Sequence, residues 1–234
     1  MPRSPLRGFS LVELLVVITI IVLLVAILVP AMEGAVLHGR RAICATNLHQ
    51  LHVAQFAYAV DNNAVLAPSG WGTGPTANAS LHVYERQIAE LWLGTYLGNQ
   101  LSVLFCPVTG LSRDQQSQTW LATWQTNFGW DNQVRLCTYS SSTNVYLSDA
   151  TRTRGGEDFR VIRSTDPSHM MLFADMARWW ATTPQRWELA DTQLRPDRQP
   201  EGINRVTMNG AVEWRRFDQL QRNYWIGTTL DYYW

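Results

Sequence analysis

The chain opens with a polar, proline-containing leader, Met1 to Gly8, and soon enters an apolar run from Leu14 to Val29 that only Thr19 interrupts. A run of this length without a charge inside it reads as a transmembrane helix. From Leu11 to Val29 a helix rises about 28 Å, against a hydrocarbon core of about 30 Å. Beyond Pro30 the pattern becomes amphipathic. Cys44, Leu48, Leu51, Gln55 and Tyr58 recur at steps of four and three, with Phe56 alongside, which makes one stripe. Arg40, Arg41, Asn47 and Gln50 fall on the wet side of that stripe. The helix is expected to end near Asp61-Asn62-Asn63, ahead of the loop that begins at Pro68-Ser69-Gly70.

The remainder reads as short elements. Trp71 to Ser80 is Gly-, Thr- and Asn-rich and reads as an exposed loop. Glu85 to Tyr96 places Ile88, Leu91, Trp92 and Tyr96 on one side of a short helix. Leu101 to Pro107 reads as a strand stopped by proline. Arg113 to Gln118 is polar and reads as a loop. Val145-Tyr146-Leu147 reads as a short strand, and Met170 to Asp175 as a buried one. Thr182 to Pro200, rich in Pro, Arg, Asp and Gln, reads as a long loop. Ile203 to Met208 and Ala211 to Arg215 flank Asn209-Gly210, a strong hairpin signal because both turn positions tolerate positive φ. No repeat period is present. The expected fold class is α+β, a long N-terminal transmembrane helix packed on a mainly antiparallel β-sheet. The segments are a leader (1–8), a membrane half of the helix (9–30), an outer half (31–62) and a globular domain (63–234).

One charge changes this picture. Glu13 stands near the start of the apolar run, where an acid costs roughly 2.5 to 3.5 kcal/mol at mid-bilayer. An acid in such a place is retained for a partner, and the expected partner is another copy of the chain. Arg3, Arg7 and the chain amine put positive charge on the leader, which places it in the cytoplasm and the rest outside. A cleaved secretory signal is the competing reading, but the apolar run is longer than such signals use and reaches Pro30-Ala31-Met32-Glu33 without a small-x-small site. A plain one-pass anchor explains the length and leaves Glu13 without a purpose.

Gly8-Phe9-Ser10-Leu11-Val12-Glu13-Leu14-Leu15 resembles the prepilin family, which comprises type IV pilins and the pseudopilins of type II secretion systems. The resemblance implies that a membrane prepilin peptidase cuts between Gly8 and Phe9 and methylates the new amine. Glu13 would then be the fifth mature residue, and the Phe9 ammonium and Glu13 the pair that meets between subunits. Pro30 falls where many pilins carry a helix proline. Arg41 to Leu51, Phe105-Cys106-Pro107, Leu172 to Asp175 and the Asn209-Gly210 hairpin are similar to a large pseudopilin-like family abundant in planctomycetes and verrucomicrobia. That family usually carries Asp-Gly-His in the last hairpin, preceded by a histidine. This chain has Asn209-Gly210-Ala211 and no nearby histidine, so a ligand role for that motif does not carry over.

Composition narrows the chemistry. Net charge is formally zero, only 16% of residues are charged, and no Lys occurs. No nucleic-acid partner is expected on that balance. A DNA-uptake filament would have to use the few arginine pairs, Arg40 and Arg41, Arg152 and Arg154, or Arg215 and Arg216. Three cysteines, Cys44, Cys106 and Cys137, would face an oxidising compartment. They allow three pairings. Cys44 with Cys106 is the expected disulfide, because it would tie the helix to the globular body; buried free thiols are the alternative. No nucleophile elbow, P-loop, dinucleotide fingerprint or zinc-protease helix is present, and no enzymatic activity is expected. His49 and His52 are three apart on a helix and could share a metal, solvated histidines being the simpler reading. No cofactor is expected, although pseudopilins often hold calcium in the globular domain, and Asp175 could serve calcium or catalysis if it does not simply cap a strand. The chain also has 11 Trp. Trp179-Trp180 and Tyr232-Tyr233-Trp234 are hard to bury, since each indole N–H needs a partner. An exposed aromatic patch would suit a polysaccharide or a protein partner.

These features lead to an inner-membrane, single-pass subunit with its C-terminal domain in the periplasm or on a filament. It would polymerise with itself or with other pseudopilins into a type II secretion pseudopilus or a type IV pilus-like filament. A glycan-binding surface protein with Trp179 and Trp180 as contacts, exported by the prepilin route, is the alternative. A membrane-anchored hydrolase is a third class, and it would require a converging acid, base and nucleophile.

Overall fold

In a computed structural model the described residues are 11–68, 83–85, 91–92, 94–104, 106–107, 134–136, 139–141, 151–153, 161–175, 177–180, 186–189, 201–226 and 230–233. The chain forms two compact units, Met1–Gly39 and Arg40–Trp234. Helix α1 covers Leu11–Asp61 and contains Pro30.

In the first unit, every residue from Leu11 to Val36 is exposed, with Leu11 at 80% and Ile27 at 71%. A water-facing helix this apolar would be unstable, so the segment suits lipid or other apolar helices. It is long and apolar enough to cross a membrane. The hydroxyl of Thr19 donates to the Val16 carbonyl at 2.8 Å, which satisfies the one polar side chain inside the run without help from water.

In the second unit, α1 buries Cys44, Asn47, Leu48, Leu51, Ala54, Gln55, Tyr58 and Ala59. This is the stripe read from the spacing, widened by Ala54, Ala59 and the polar Asn47. The sequence pattern puts Asn47 on the wet side; it is buried instead, its Nδ2 donating to the Ser102 carbonyl at 3.4 Å. Gln55 is fully buried because its amide mimics a strand. Its Oε1 accepts from the Ala67 N–H at 2.9 Å, and its Nε2 donates to the Ala67 carbonyl at 3.3 Å. The helix stops where Asn63 and Ala64 take positive φ, and the Ala64 N–H returns to the Ala59 carbonyl at 2.8 Å, satisfying one of the open carbonyls at the helix end.

Eleven strands are described: β1 Val83–Glu85, β2 Val134–Leu136, β3 Tyr139–Ser141, β4 Thr151–Thr153, β5 Met171–Asp175, β6 Ala177–Trp180, β7 Arg186–Leu189, β8 Gly202–Thr207, β9 Val212–Arg216, β10 Arg222–Ile226 and β11 Leu230–Tyr233. They form sheets in the orders β1-β2, β4-β10-β11-β6-β7 and β3-β5-β8-β9. Every described pairing is antiparallel, so the α+β, pilin-like architecture holds. All five residues of β5 are buried, and the Phe173 ring stacks on Trp92 with centroids 6.0 Å apart.

The structure corrects several sequence expectations. Leu101–Leu104 is a turn of 3-10 helix, not the start of a strand. A short apolar run looks the same in either state, and here Val103 and Leu104 are both buried although they are adjacent. Glu85 belongs to β1, while helical backbone is described only at 91–92 and 94–96. Within 182–200, Arg186–Leu189 is strand β7, zipped to β6 from Ala177↔Leu189 to Trp180↔Arg186; the surrounding prolines and charges hide four residues of pairing. The β8–β9 hairpin is present, but only Gly210 takes positive φ, at 82°. The Gly210 N–H bonds the Thr207 carbonyl at 2.9 Å and the Thr207 N–H bonds the Ala211 carbonyl at 3.1 Å. That is a three-residue loop closed by a left-handed glycine, not a two-residue turn. The expected loops at Trp71–Ser80 and Arg113–Gln118, and the expected strand at Val145–Leu147, lie outside the described residues.

Cys44 and Cys106 are joined in a disulfide across 62 positions, with Cα atoms 5.0 Å apart. By the chain-entropy relation, closing a loop of that size stabilises by about 4 kcal/mol. Cys44→Ser is therefore expected to lower the melting temperature of the detergent-solubilised chain by roughly 10 °C or more. Calorimetry of the oxidised protein against the variant checks this.

Candidate functional site

Gly8 and Phe9 lie outside the described residues. Glu13 sits in the first turn of α1, exposed among Leu11, Val12, Leu14 and Leu15. Two elementary effects act on it there. The open N–H groups of a helix start favour an anion by about 0.3 to 1 kcal/mol, and the apolar surroundings penalise it by more.

The second unit holds a polar cluster where α1 meets β5, β8 and β9. The sequence pattern assigns Arg41 to the wet side; it is half-buried instead. Its guanidinium pairs with Glu201 and lies 4.3 Å from the ring centroid of Trp214, a cation–π contact. Gly202 allows β8 and β9 to close beside that ring. A Cβ there would run into the Arg215 carbonyl and stand 2.7 Å from the Trp214 ring.

Asp175, at the end of β5, is not an exposed strand cap; it is 1% exposed. Its Oδ2 accepts from the Asn204 N–H at 2.7 Å and from the Asn204 Nδ2 at 2.9 Å. Its Oδ1 is buried and has no hydrogen-bond partner. Burial pushes the Asp175 carboxyl up to about 7, against the two Asn204 hydrogen bonds and the positive field of Arg41. The acid is therefore protonated more readily in the folded chain than in the unfolded one. Its contribution to stability is complete below about pH 4 and disappears as pH rises through about 7. Stability is expected to fall between pH 5 and pH 8, by an amount on the order of 4 kcal/mol at most, with the melting temperature falling alongside, and Asp175→Asn is expected to flatten that slope. Thermal melts across this range in constant salt check both.

Calcium does not fit the described residues of this cluster. Cys44 Sγ, Cys106 Sγ and a carboxylate oxygen of Asp175 lie within 4.8 Å of one another, but two of the three are joined as a disulfide and calcium takes oxygen ligands. His49 and His52 do not converge on an ion either. His49 Nδ1 is 3.3 Å from the Gly210 carbonyl and His52 Nε2 is 3.0 Å from the Met208 carbonyl; partial burial lowers the His52 pKa. Both rings hold the last hairpin loop.

Trp179 and Trp180 are consecutive residues of β6. The register puts Trp179 opposite Trp187 of β7 and Asp231 of β11, and Asp231 opposite Trp225 of β10. Arg41, Glu201, Asn204 and Trp214 escape sequence reasoning, since Asn204 meets Asp175 only through the pairing of β5 with β8 and Arg41 meets Glu201 and Trp214 only through tertiary packing. The one available signal is the acid itself, because a carboxylate ending a wholly apolar strand needs a donor from a neighbouring strand.

No curated protein and no solved structure matches this chain. A family model described as the prokaryotic N-terminal methylation motif matches residues 4–29. Combined with an exposed apolar helix and an antiparallel head, that match is consistent with the type IV pilin and pseudopilin-like family and supports a pilin-like protein processed by prepilin peptidase.

Proposed function

We propose that this chain is a filament subunit, cleaved between Gly8 and Phe9, methylated on Phe9, and polymerised into a type II secretion pseudopilus or a type IV pilus-like filament. The supporting observation is the place of Glu13, five residues beyond Gly8 and in the first turn of a helix exposed throughout its apolar length. Before assembly the helix sits in the inner membrane, leader inside and head in the periplasm. In the filament, apolar helices replace lipid, and the Phe9 ammonium of one subunit neutralises Glu13 of the next. Breaking such a buried pair costs about 3 to 5 kcal/mol, which favours one axial stagger over others. The work is mechanical and no bond is made or broken by the subunit itself. Intact and N-terminal mass spectrometry of membrane-extracted protein tests this directly. A mature chain beginning at methylated Phe9 is expected; one beginning at Met1, or beyond Pro30, overturns the proposal.

The tryptophan register favours a second reading, contact with polysaccharide. The backbone register sets Trp225, Trp179 and Trp187 in one cross-strand row with Asp231 and Arg152. Trp179→Ala is expected to weaken retention on an insoluble glucan or chitin matrix roughly tenfold, at about 1 to 3 kcal/mol per lost stacking contact by analogy with base stacking. Trp180→Ala, outside that row, is expected to leave it unchanged. Equal behaviour of the two variants removes this reading.

A further inference from the structure

We propose that Asp175 is the internal proton acceptor for oxidative closure of the Cys44–Cys106 disulfide. In the closed disulfide both cysteines have no exposed surface and Asp175 is 1% exposed, so as the head closes over the pair Asp175 becomes the acceptor nearest to a thiol proton. A carboxylate oxygen of Asp175 lies within 4.8 Å of each sulfur. The two carboxylate oxygens are not equivalent. Oδ2 is occupied by both N–H groups of Asn204, whereas Oδ1 has no partner and keeps its lone pairs free. An orphaned buried acceptor is costly, and a thiol proton gives it a use.

The chemistry requires an external disulfide, R–S–S–R, from the oxidising compartment. One cysteine thiolate attacks it before the head closes over the pair, forming a mixed disulfide and releasing R–S⁻. The second thiol then transfers its proton to Asp175, and the resulting thiolate attacks the protein sulfur of the mixed disulfide. The Cys44–Cys106 bond forms, the bond to the R sulfur breaks, and a second R–S⁻ departs. In sum the two thiols lose two electrons and two protons, and the oxidant gains the electrons. Only the thiolate attacks, and a free cysteine has a pKa of about 8.5, so below that pH an adjacent base accelerates the second step. Asp175 finishes as the neutral acid, the form that burial favours. The groups around it are suited to this. Arg41 from α1 keeps a fraction of the carboxyl ionised while its own charge is directed to Glu201, and Asn204 from β8 is neutral and fixed.

The test uses the full-length chain in detergent, with Cys137→Ser so that one pair remains, reduced and then mixed with excess oxidised glutathione. Acid quench and mass spectrometry separate the reduced, mixed-disulfide and closed species. Conversion of mixed disulfide to closed disulfide is expected to be roughly a hundredfold slower in Asp175→Asn at about pH 6.5, at the low end of the range of a positioned base. The difference should narrow as pH rises and more of the thiol ionises unaided. Asp175→Glu is expected to recover part of the rate. A deficit that is the same at every pH indicates a merely structural role and overturns the proposal. The wild-type chain provides an independent check that needs no folded variant. If its closure rate rises tenfold per pH unit from about 6 to 8, as an unassisted thiol requires, Asp175 takes no proton.

Discussion

Gly8→Val is expected to leave the chain at its precursor length, with Met1 to Gly8 still attached and Phe9 unmethylated. On the prepilin resemblance, the peptidase must bring its acids onto the peptide bond that follows residue 8. A glycine there lets the backbone approach closely, whereas a β-branched side chain is bulky and stiff at χ1. Helix α1 is untouched, so the variant should still insert in the membrane. Immunoblotting for size and intact mass of the membrane fraction read the outcome, and processed Gly8→Val protein would place the cut elsewhere. Loss of cleavage also removes the Phe9 ammonium, so this one substitution should abolish assembly too.

Glu13→Ala separates the two steps. Processing is expected to continue, because the scissile bond and its glycine are intact, while incorporation into filaments falls by about a hundredfold to a few thousandfold, as expected when removing one member of a buried ion pair costs about 3 to 5 kcal/mol. The direction follows from what remains. The Phe9 ammonium of a neighbouring subunit enters the apolar bundle with nothing to neutralise it. Quantifying the subunit in sheared filaments against the membrane pool gives the ratio, and a mature, methylated variant that assembles normally would remove the charge-pairing account. Glu13→Gln is the useful companion. It keeps the size of the side chain and loses the charge, so it should resemble Glu13→Ala if charge rather than packing sets the stagger.

The extended helix and the hairpin at Asn209-Gly210 were legible because each rests on local signals. A long apolar run, a three-and-four stripe and a turn dipeptide all lie within a few residues of one another. Asp175 was legible as an anomaly but not as a site, because Asn204 reaches it only through the pairing of β5 with β8, and Arg41, Cys44 and Cys106 only through tertiary packing. Strand β7 was hidden for a related reason. Four residues of alternation between prolines give little period, and its stability comes from pairing with β6. Leu101–Leu104 failed in the opposite sense, since an apolar run announces burial without announcing backbone geometry. Asn47 and Arg41 show the limit of polarity as a guide to exposure. Each is drawn inward by a specific acceptor, the Ser102 carbonyl and the Glu201 carboxylate.

The bond between Cys44 and Cys106 bears on force as well as on folding. A subunit that works by being pushed or pulled along its helix must pass load to its head, and packed side chains slide under shear far more easily than a covalent link stretches. Because the cross-link is rooted in α1 itself, tension entering that helix reaches Cys106 directly. The oxidised head should therefore resist extraction by mechanical pulling in a way that its reduced form does not.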